Sequence, residues 1–217
     1  MAESCNVHLT KNQMTNPTHL ITTPEQLRAL IGTASGISIK KEIPYVHKLY
    51  AELIGAAPFA IFATSGPGGL DASPRGDAPG FVVVHDEHTL LLPERNGNNR
   101  GDSLSNIVTN PHVALLFLIP GRGDVLRVIG TATISIDPEL LERFALDGQL
   151  PRCVVVIHVD SVFFQFPRAI QRAKLWEPWI PNPALPTTGQ ILEALTNGEI
   201  QAAPFDLELQ DQIKRTL

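Results

Sequence analysis

The chain has 217 residues, of which 43% are hydrophobic and 18% charged, and a formal net charge of −5 at pH 7. That length suffices for one sizeable core, and the acidic balance argues against nucleic acid or an anionic membrane as partner, since both recruit basic surfaces. No apolar run reaches the roughly 18 residues of a membrane-spanning helix. The first twenty residues, MAESCNVHLTKNQMTNPTHL, lack the hydrophobic segment of a secretory signal, and two cysteines, Cys5 and Cys153, cannot build a disulfide framework. A cytoplasmic single-domain protein is expected.

In chain order, residues 1–20 read as a mobile tail. Thr23-Pro24-Glu25 opens a helix through Leu27, Leu30 and Ile31. A second helix follows Pro44, with Val46, Leu49, Tyr50 and Leu53-Ile54 at helical spacing up to Gly55. From Phe59 the pattern changes to strands. Phe59–Thr64 is an apolar run stopped by the Ser65–Gly69 turn. Leu70–Arg75 and Gly80–Val84 are two more strands, and His85–His88 leads into Thr89-Leu90-Leu91-Leu92, which Pro93 stops. The loop from Arg95 to Arg100 is basic and amide-rich. It runs into a short helix with Asp102 or Ser103 as N-cap and Leu104, Ile107 and Val108 on one face. Val113–Ile119, Val125–Ser135 and Cys153–Phe166 are further strands, with a helix from Asp137 to about Leu146. A helical piece near Ala169, a Pro-rich connector from Pro178 to Pro186 and weak helices close the chain. Strands joined by hairpins, with few helices between them, point to an antiparallel barrel with flanking helices over residues 21–180 and a C-terminal helical extension over 181–217.

The segment from Thr89 to Pro111 carries the chemistry. A strand that delivers two arginines onto a helix N-terminus outlines an anion site, because the helix offers unpaired N–H groups and arginine offers a planar fork that fits phosphate. The competing reading is a solvated loop. Other motifs are missing. The glycines at 66, 68 and 69 precede no helix, so they make no dinucleotide fingerprint. No Gly-Lys-Ser/Thr phosphate loop and no Gly-x-Ser-x-Gly nucleophile elbow occurs. His85 and His88 stand close in sequence without a third ligand, so no metal is expected. Arg127 alternates with Leu126 and Val128 and faces the other side of its strand, either to cover an edge or to meet a ligand. Trp176, four residues after Arg172, would share a helix face with it.

Ser73-Pro74-Arg75-Gly76-Asp77 with Pro79-Gly80-Phe81-Val82, Pro93-Glu94-Arg95 followed by Gly97-Asn98-Asn99-Arg100, and Asp102-Ser103-Leu104-x-Asn106-Ile107 occur in order. Pro120-Gly121-Arg122-Gly123, Leu126-Arg127-Val128-x-Gly130 and Arg172 with Leu175-Trp176 complete the series. Together they resemble the pyridoxamine 5′-phosphate oxidase-like flavoproteins, the FMN-binding split barrels, over roughly residues 40 to 180. The resemblance implies a six-stranded antiparallel split barrel and an obligate homodimer with FMN at the subunit interface. It places the FMN phosphate on Asn99, Arg100 and Ser103. Arg95 and the strand Pro79–Val83, with Gly80, Phe81, Val82 and Val83, lie along the ring system, and Arg75 or Arg127 puts positive charge near its N1/O2 end. Arg172 and Trp176 reach over from the partner.

The chain departs from that pattern at Ile129, where an asparagine is expected, at Gln165-Phe166-Pro167-Arg168 in place of His-Cys-Pro-Lys, and at Ala173 in place of serine. It ends in Gln212–Leu217 and has neither the Arg-Leu-x-Pro ending nor the Arg-x-His clamp of the vitamin B6 oxidase, so pyridoxamine phosphate is not the expected substrate. The expectation is an FMN-dependent oxidoreductase acting on an unidentified small molecule, with no side chain declaring itself as catalytic acid or base. The alternatives are a deazaflavin-dependent reductase, a non-catalytic flavin- or haem-binding protein, and a barrel with an empty site. A haem would need His112 or His158 as axial ligand, although both suit buried structural positions.

Overall fold

A computed structural model describes residues 19–95, 97, 99–180 and 182–216. The expected mobile tail, apart from its last two residues, lies outside them, as do Asn96 and Asn98 of the basic loop. The described residues divide into two compact units, one ending at Leu175 and the other starting at Trp176.

The first unit is built on seven strands: β1 (Phe59–Gly66), β2 (Gly69–Gly76), β3 (Val83–Asp86), β4 (Thr89–Glu94), β5 (His112–Leu118), β6 (Val125–Ser135) and β7 (Cys153–Gln165). They form one antiparallel sheet in the order β2-β1-β5-β6-β7-β4-β3. The resemblance implied six strands, and the described residues form seven. The shortest, β3, lies at one edge and pairs with β4 alone and through a bulge. The same unit contains α1 (Pro24–Ile31), α2 (Gly36–Lys40), α3 (Lys48–Ala56), α4 (Asp102–Thr109), α5 (Pro138–Arg143) and α6 (Arg168–Ala173).

Alternation fixes which side of each strand is buried. Ala60 and Phe62 of β1, Val113, Leu115 and Phe117 of β5, and Leu126 and Val128 of β6 all enter one core. Ile54 of α3 and Ile107 of α4 pack into the same core. β4 and the start of β7 read as unbroken apolar runs because both of their faces are covered. Leu90 and Leu92 join the main core, while Leu91 and Val154 pack with Phe144, just past α5.

Gly130 of β6 sits at a register shift against β7, where Ile129 faces Ser161 and Gly130 faces Val159. A Cβ at Gly130 would lie 1.9 Å from the carbonyl oxygen of His158, so only glycine allows this approach.

Several local expectations are corrected. β4 runs on through Pro93 to Glu94, because β3 pairs only as far as Leu91 and β4 beyond that point has β7 alone as neighbour. The N-cap of α4 is Gly101, whose φ of +65° makes the turn that Asp102 or Ser103 was expected to make. α5 stops at Arg143. α6 ends at Ala173, with Lys174 left-handed at φ +50°, so Trp176 lies outside the helix that carries Arg172. His112 and His158 are exposed rather than buried, with His158 stacked on His88 at 6.1 Å between ring centroids.

The second unit contains α7 (Thr188–Leu195) and α8 (Ala202–Thr216). Thr187 and Gln190 close a capping box on α7. The Gly189 N–H donates to Asp206 at 2.8 Å, and a Cβ at Gly189 would lie 2.4 Å from the Ala202 carbonyl, so the two helices touch through bare backbone.

Candidate functional site

The site grows from the edge strand β2. Its residues alternate between exposed and half-buried, which puts Asp71, Ser73 and Arg75 on one face. β4 brings Glu94 to the same place, and α4 brings Ser103. α4 is held against β1 by two side-chain bonds. Asn106 Nδ2 donates to Thr64 Oγ1 at 3.0 Å, and Asn110 Nδ2, just past the helix, donates to Ser65 Oγ at 2.7 Å. Gly66 makes this docking possible, since a Cβ there would meet Asn106 Oδ1 at 2.1 Å. Between these elements lies a cleft of about 410 Å³, within the range of small-molecule sites, lined by β2, the end of β4, Phe81 and the residues that lead into α4.

Polar contacts join these walls. Arg75 Nε donates to Ser73 Oγ at 3.2 Å, the Ser73 and Ser103 hydroxyls stand 3.1 Å apart, and Ser103 Oγ donates to Asp71 Oδ2 at 3.0 Å. Arg75 also donates to Glu94 Oε2 at 2.5 Å, with both side chains only 18% exposed. Its guanidinium stands 5.6 Å from the Phe62 ring centroid. Arg95 is tied twice, through Nε to Asp77 at 3.3 Å and through a terminal nitrogen to the Phe144 carbonyl at 2.7 Å. Arg100 donates to Asp102 at 2.8 Å and is 75% exposed. Beside the cleft, Cys153 faces Glu94 across the β4–β7 pair. Burial pushes its thiol pKa up, the Glu94 charge adds to that, and Arg75 opposes it, which disfavours the reactive thiolate.

Of the residues expected to hold a cofactor, Arg75, Phe81, Arg95, Arg100 and Ser103 line this one cleft. Gly80, with φ +89°, and Val83 line a smaller neighbouring hollow of about 290 Å³ that shares Asp77, Phe81 and Arg95 with it. Val82 is buried in the core, which leaves its backbone rather than its side chain for a ligand. Asn99 is exposed with φ +65°. Arg127 lies between its register partners Leu116 and Phe163 on one face of the sheet, 5.0 Å from the Phe163 ring centroid. Arg172 is exposed on α6 and donates to the Arg168 carbonyl at 3.2 Å. Trp176 belongs to the second unit.

Sequence reasoning passed over the carboxylates. Asp71, Asp77, Glu94 and Asp102 line the cleft alongside Arg75, Arg95 and Arg100, so acidic groups outnumber basic ones by one. The period of two along β2 would have brought Asp71 onto the face of Ser73 and Arg75. Glu94 and Asp77 meet their arginines only through the fold.

The donor set suits a phosphate. It combines a buried hydroxyl, three guanidiniums and a helix whose glycine N-cap brings no side-chain acceptor to its first-turn N–H groups. Strand order defines a split β-barrel, with a cleft lined by charges of both signs between its edge strand and a short helix. The family model described as pyridoxamine 5′-phosphate oxidase matches residues 46–166, and the chain belongs to that family. No curated protein matches the sequence. Similar solved structures include HupZ of Group A Streptococcus, at 21% identity and TM-score 0.46, covering 56% of this chain and 94% of that one. General Stress Protein 26 from Bacillus anthracis str. Sterne is 18% identical with TM-score 0.41, covering 52% and 88%. An FMN-binding protein from Syntrophomonas wolfei is 11% identical with TM-score 0.41, covering 64% and 95%. Among the described residues no helix is long and apolar enough to cross a membrane, and no group of three or more His, Cys, Asp or Glu side chains is arranged to hold a metal ion.

Proposed function

We propose that the chain is an FMN-dependent oxidoreductase for a small molecule, acting as a homodimer with the flavin at the subunit interface. The observation that carries this reading is the convergence of Ser103, Arg75, Arg100 and the N-terminus of α4 on one cleft, in a chain of this family. Ser103 and Arg100, with Asn99 in the adjoining loop, hold the phosphate by charge-assisted hydrogen bonds. Arg95 is fixed by Asp77 and the Phe144 carbonyl, so it presents a rigid edge to the ring system. The Pro79–Val83 segment offers backbone groups beside it. Arg75 or Arg127 supplies the positive charge that stabilises electron density at the N1/O2 end. Arg172 and Trp176 of a second copy would close over the ring. FMN, when bound, supplies the hydride or electron transfer, and the protein supplies orientation, charge and exclusion of water.

A sheet face supports the second copy. Leu116, Arg127 and Phe163 stand in register across β5, β6 and β7, and Ile129 on the same strand as Arg127 is 36% exposed. A two-fold contact of this face with itself would cover apolar surface that a monomer leaves to solvent. The test is anaerobic titration of flavin-loaded protein with NADH and with NADPH. Bleaching of the flavin band by one donor, with turnover on adding an acceptor, is expected. A flavin that stays oxidised with both donors contradicts the proposed donor half-reaction and favours a binding module.

A further inference from the structure

Polar contacts run from Arg75 to Asp71. Arg75 can only donate and a carboxylate can only accept, so Arg75 Nε–H points to Ser73 and the Ser103 hydroxyl to Asp71, while the Ser73 hydroxyl has both Ser103 Oγ at 3.1 Å and the Phe62 carbonyl at 3.5 Å within reach. Ser103 is 3% exposed and has one proton to give. A phosphate oxygen seated against Ser103 in this cleft would draw on the same proton.

We propose that Asp71 is the charge-selectivity residue of the cleft. It competes with the flavin phosphate for the Ser103 hydroxyl and repels the phosphate charge, so it sets FMN affinity below what the arginines alone would give. This rests on the flavin reading above and deepens it. A phosphate monoester carries about −1.5 to −2 at neutral pH, and it enters a cleft whose four carboxylates already outnumber its three guanidiniums. Glu94, Asp77 and Asp102 are each held by an arginine, whereas the bond recorded for Asp71 runs to a neutral hydroxyl. Asp71 is therefore the carboxylate of the cleft whose charge acts on an incoming anion with the least local compensation. Asparagine at this position keeps an acceptor for Ser103, removes the charge and adds a donor. Asp71 is half-buried on an edge strand, so the exchange leaves the fold in place.

The experiment compares FMN with riboflavin, which has the same ring and no phosphate, by titrating each into apo wild-type protein and into Asp71→Asn. FMN affinity should rise about tenfold or more in the variant, while riboflavin affinity stays the same within about twofold. FMN binding that is unchanged or weakened by Asp71→Asn overturns the role of Asp71 while the flavin site stands. An equal gain for both flavins also overturns it, because the effect would then be one of shape. If neither protein binds either flavin, the flavin reading falls and this inference falls with it.

Discussion

The seam of β5, β6 and β7 and the cleft formed by β2, β4 and α4 lie in one unit but are held by different forces. In the seam, Phe117, Leu126, Val128, Ile157 and Val162 are all 1% exposed or less, and stability comes from non-directional burial of apolar surface. In the cleft, Ser103 is deeply buried, while Arg75, Arg95 and Arg100 each pair with a carboxylate. A seam can be damaged only by a change of shape. The cleft can be altered by moving one charge, and that change reads out in binding more than in folding.

Phe117→Ala should have the largest effect. It empties a fully buried site and is expected to cost about 3–5 kcal/mol in denaturant unfolding. Gly130→Ala should follow closely, at about 3 kcal/mol, because its Cβ would press on the His158 carbonyl at 1.9 Å and the β6–β7 pair must shift to relieve it. A loss under about 1 kcal/mol at Gly130 would mean the bulge relaxes freely and the seam is not rigid. Glu94→Ala should cost about 1–3 kcal/mol, since it leaves the Arg75 guanidinium without its closest anion at a site only 18% exposed. Arg100→Ala, at a largely exposed position, should change stability by less than about 0.5 kcal/mol. It should nevertheless weaken FMN binding at least tenfold, on the order of 1.5–3 kcal/mol. Equal stability losses at Glu94 and Phe117 would erase the distinction between the two regions.

The seam was largely legible in the sequence because alternation is a local signal. All seven strands overlap runs of apolar or alternating residues, although β3 lies at Val83–Asp86 rather than the expected Gly80–Val84, with residues 79–82 outside any strand, and the count of six came from the resemblance rather than from those runs. The basic loop and the helix after it were legible in the sequence, and Arg95, Arg100 and Ser103 from that stretch do line one cleft. The charge pairing was not, because Arg75 and Glu94 lie 19 residues apart and meet only when the edge strand and β4 are folded. Pro93 misled in the other direction. Its missing N–H suggested a strand end, yet β4 continues because β3 has already stopped pairing there. The Arg172–Trp176 pairing failed on a single residue, Lys174, whose left-handed backbone ends the helix.

The central claim, that the cleft takes the phosphate of a flavin, is tested most directly by the visible spectrum of the purified protein, with any cofactor released by heat and identified by mass. Bands near about 370 and 450 nm with FMN as the released species, or their appearance after incubation with FMN, are the predicted result. A protein that stays colourless in excess FMN would contradict it and return Arg75, Arg95 and Arg100 to the role of structural partners for Glu94, Asp77 and Asp102.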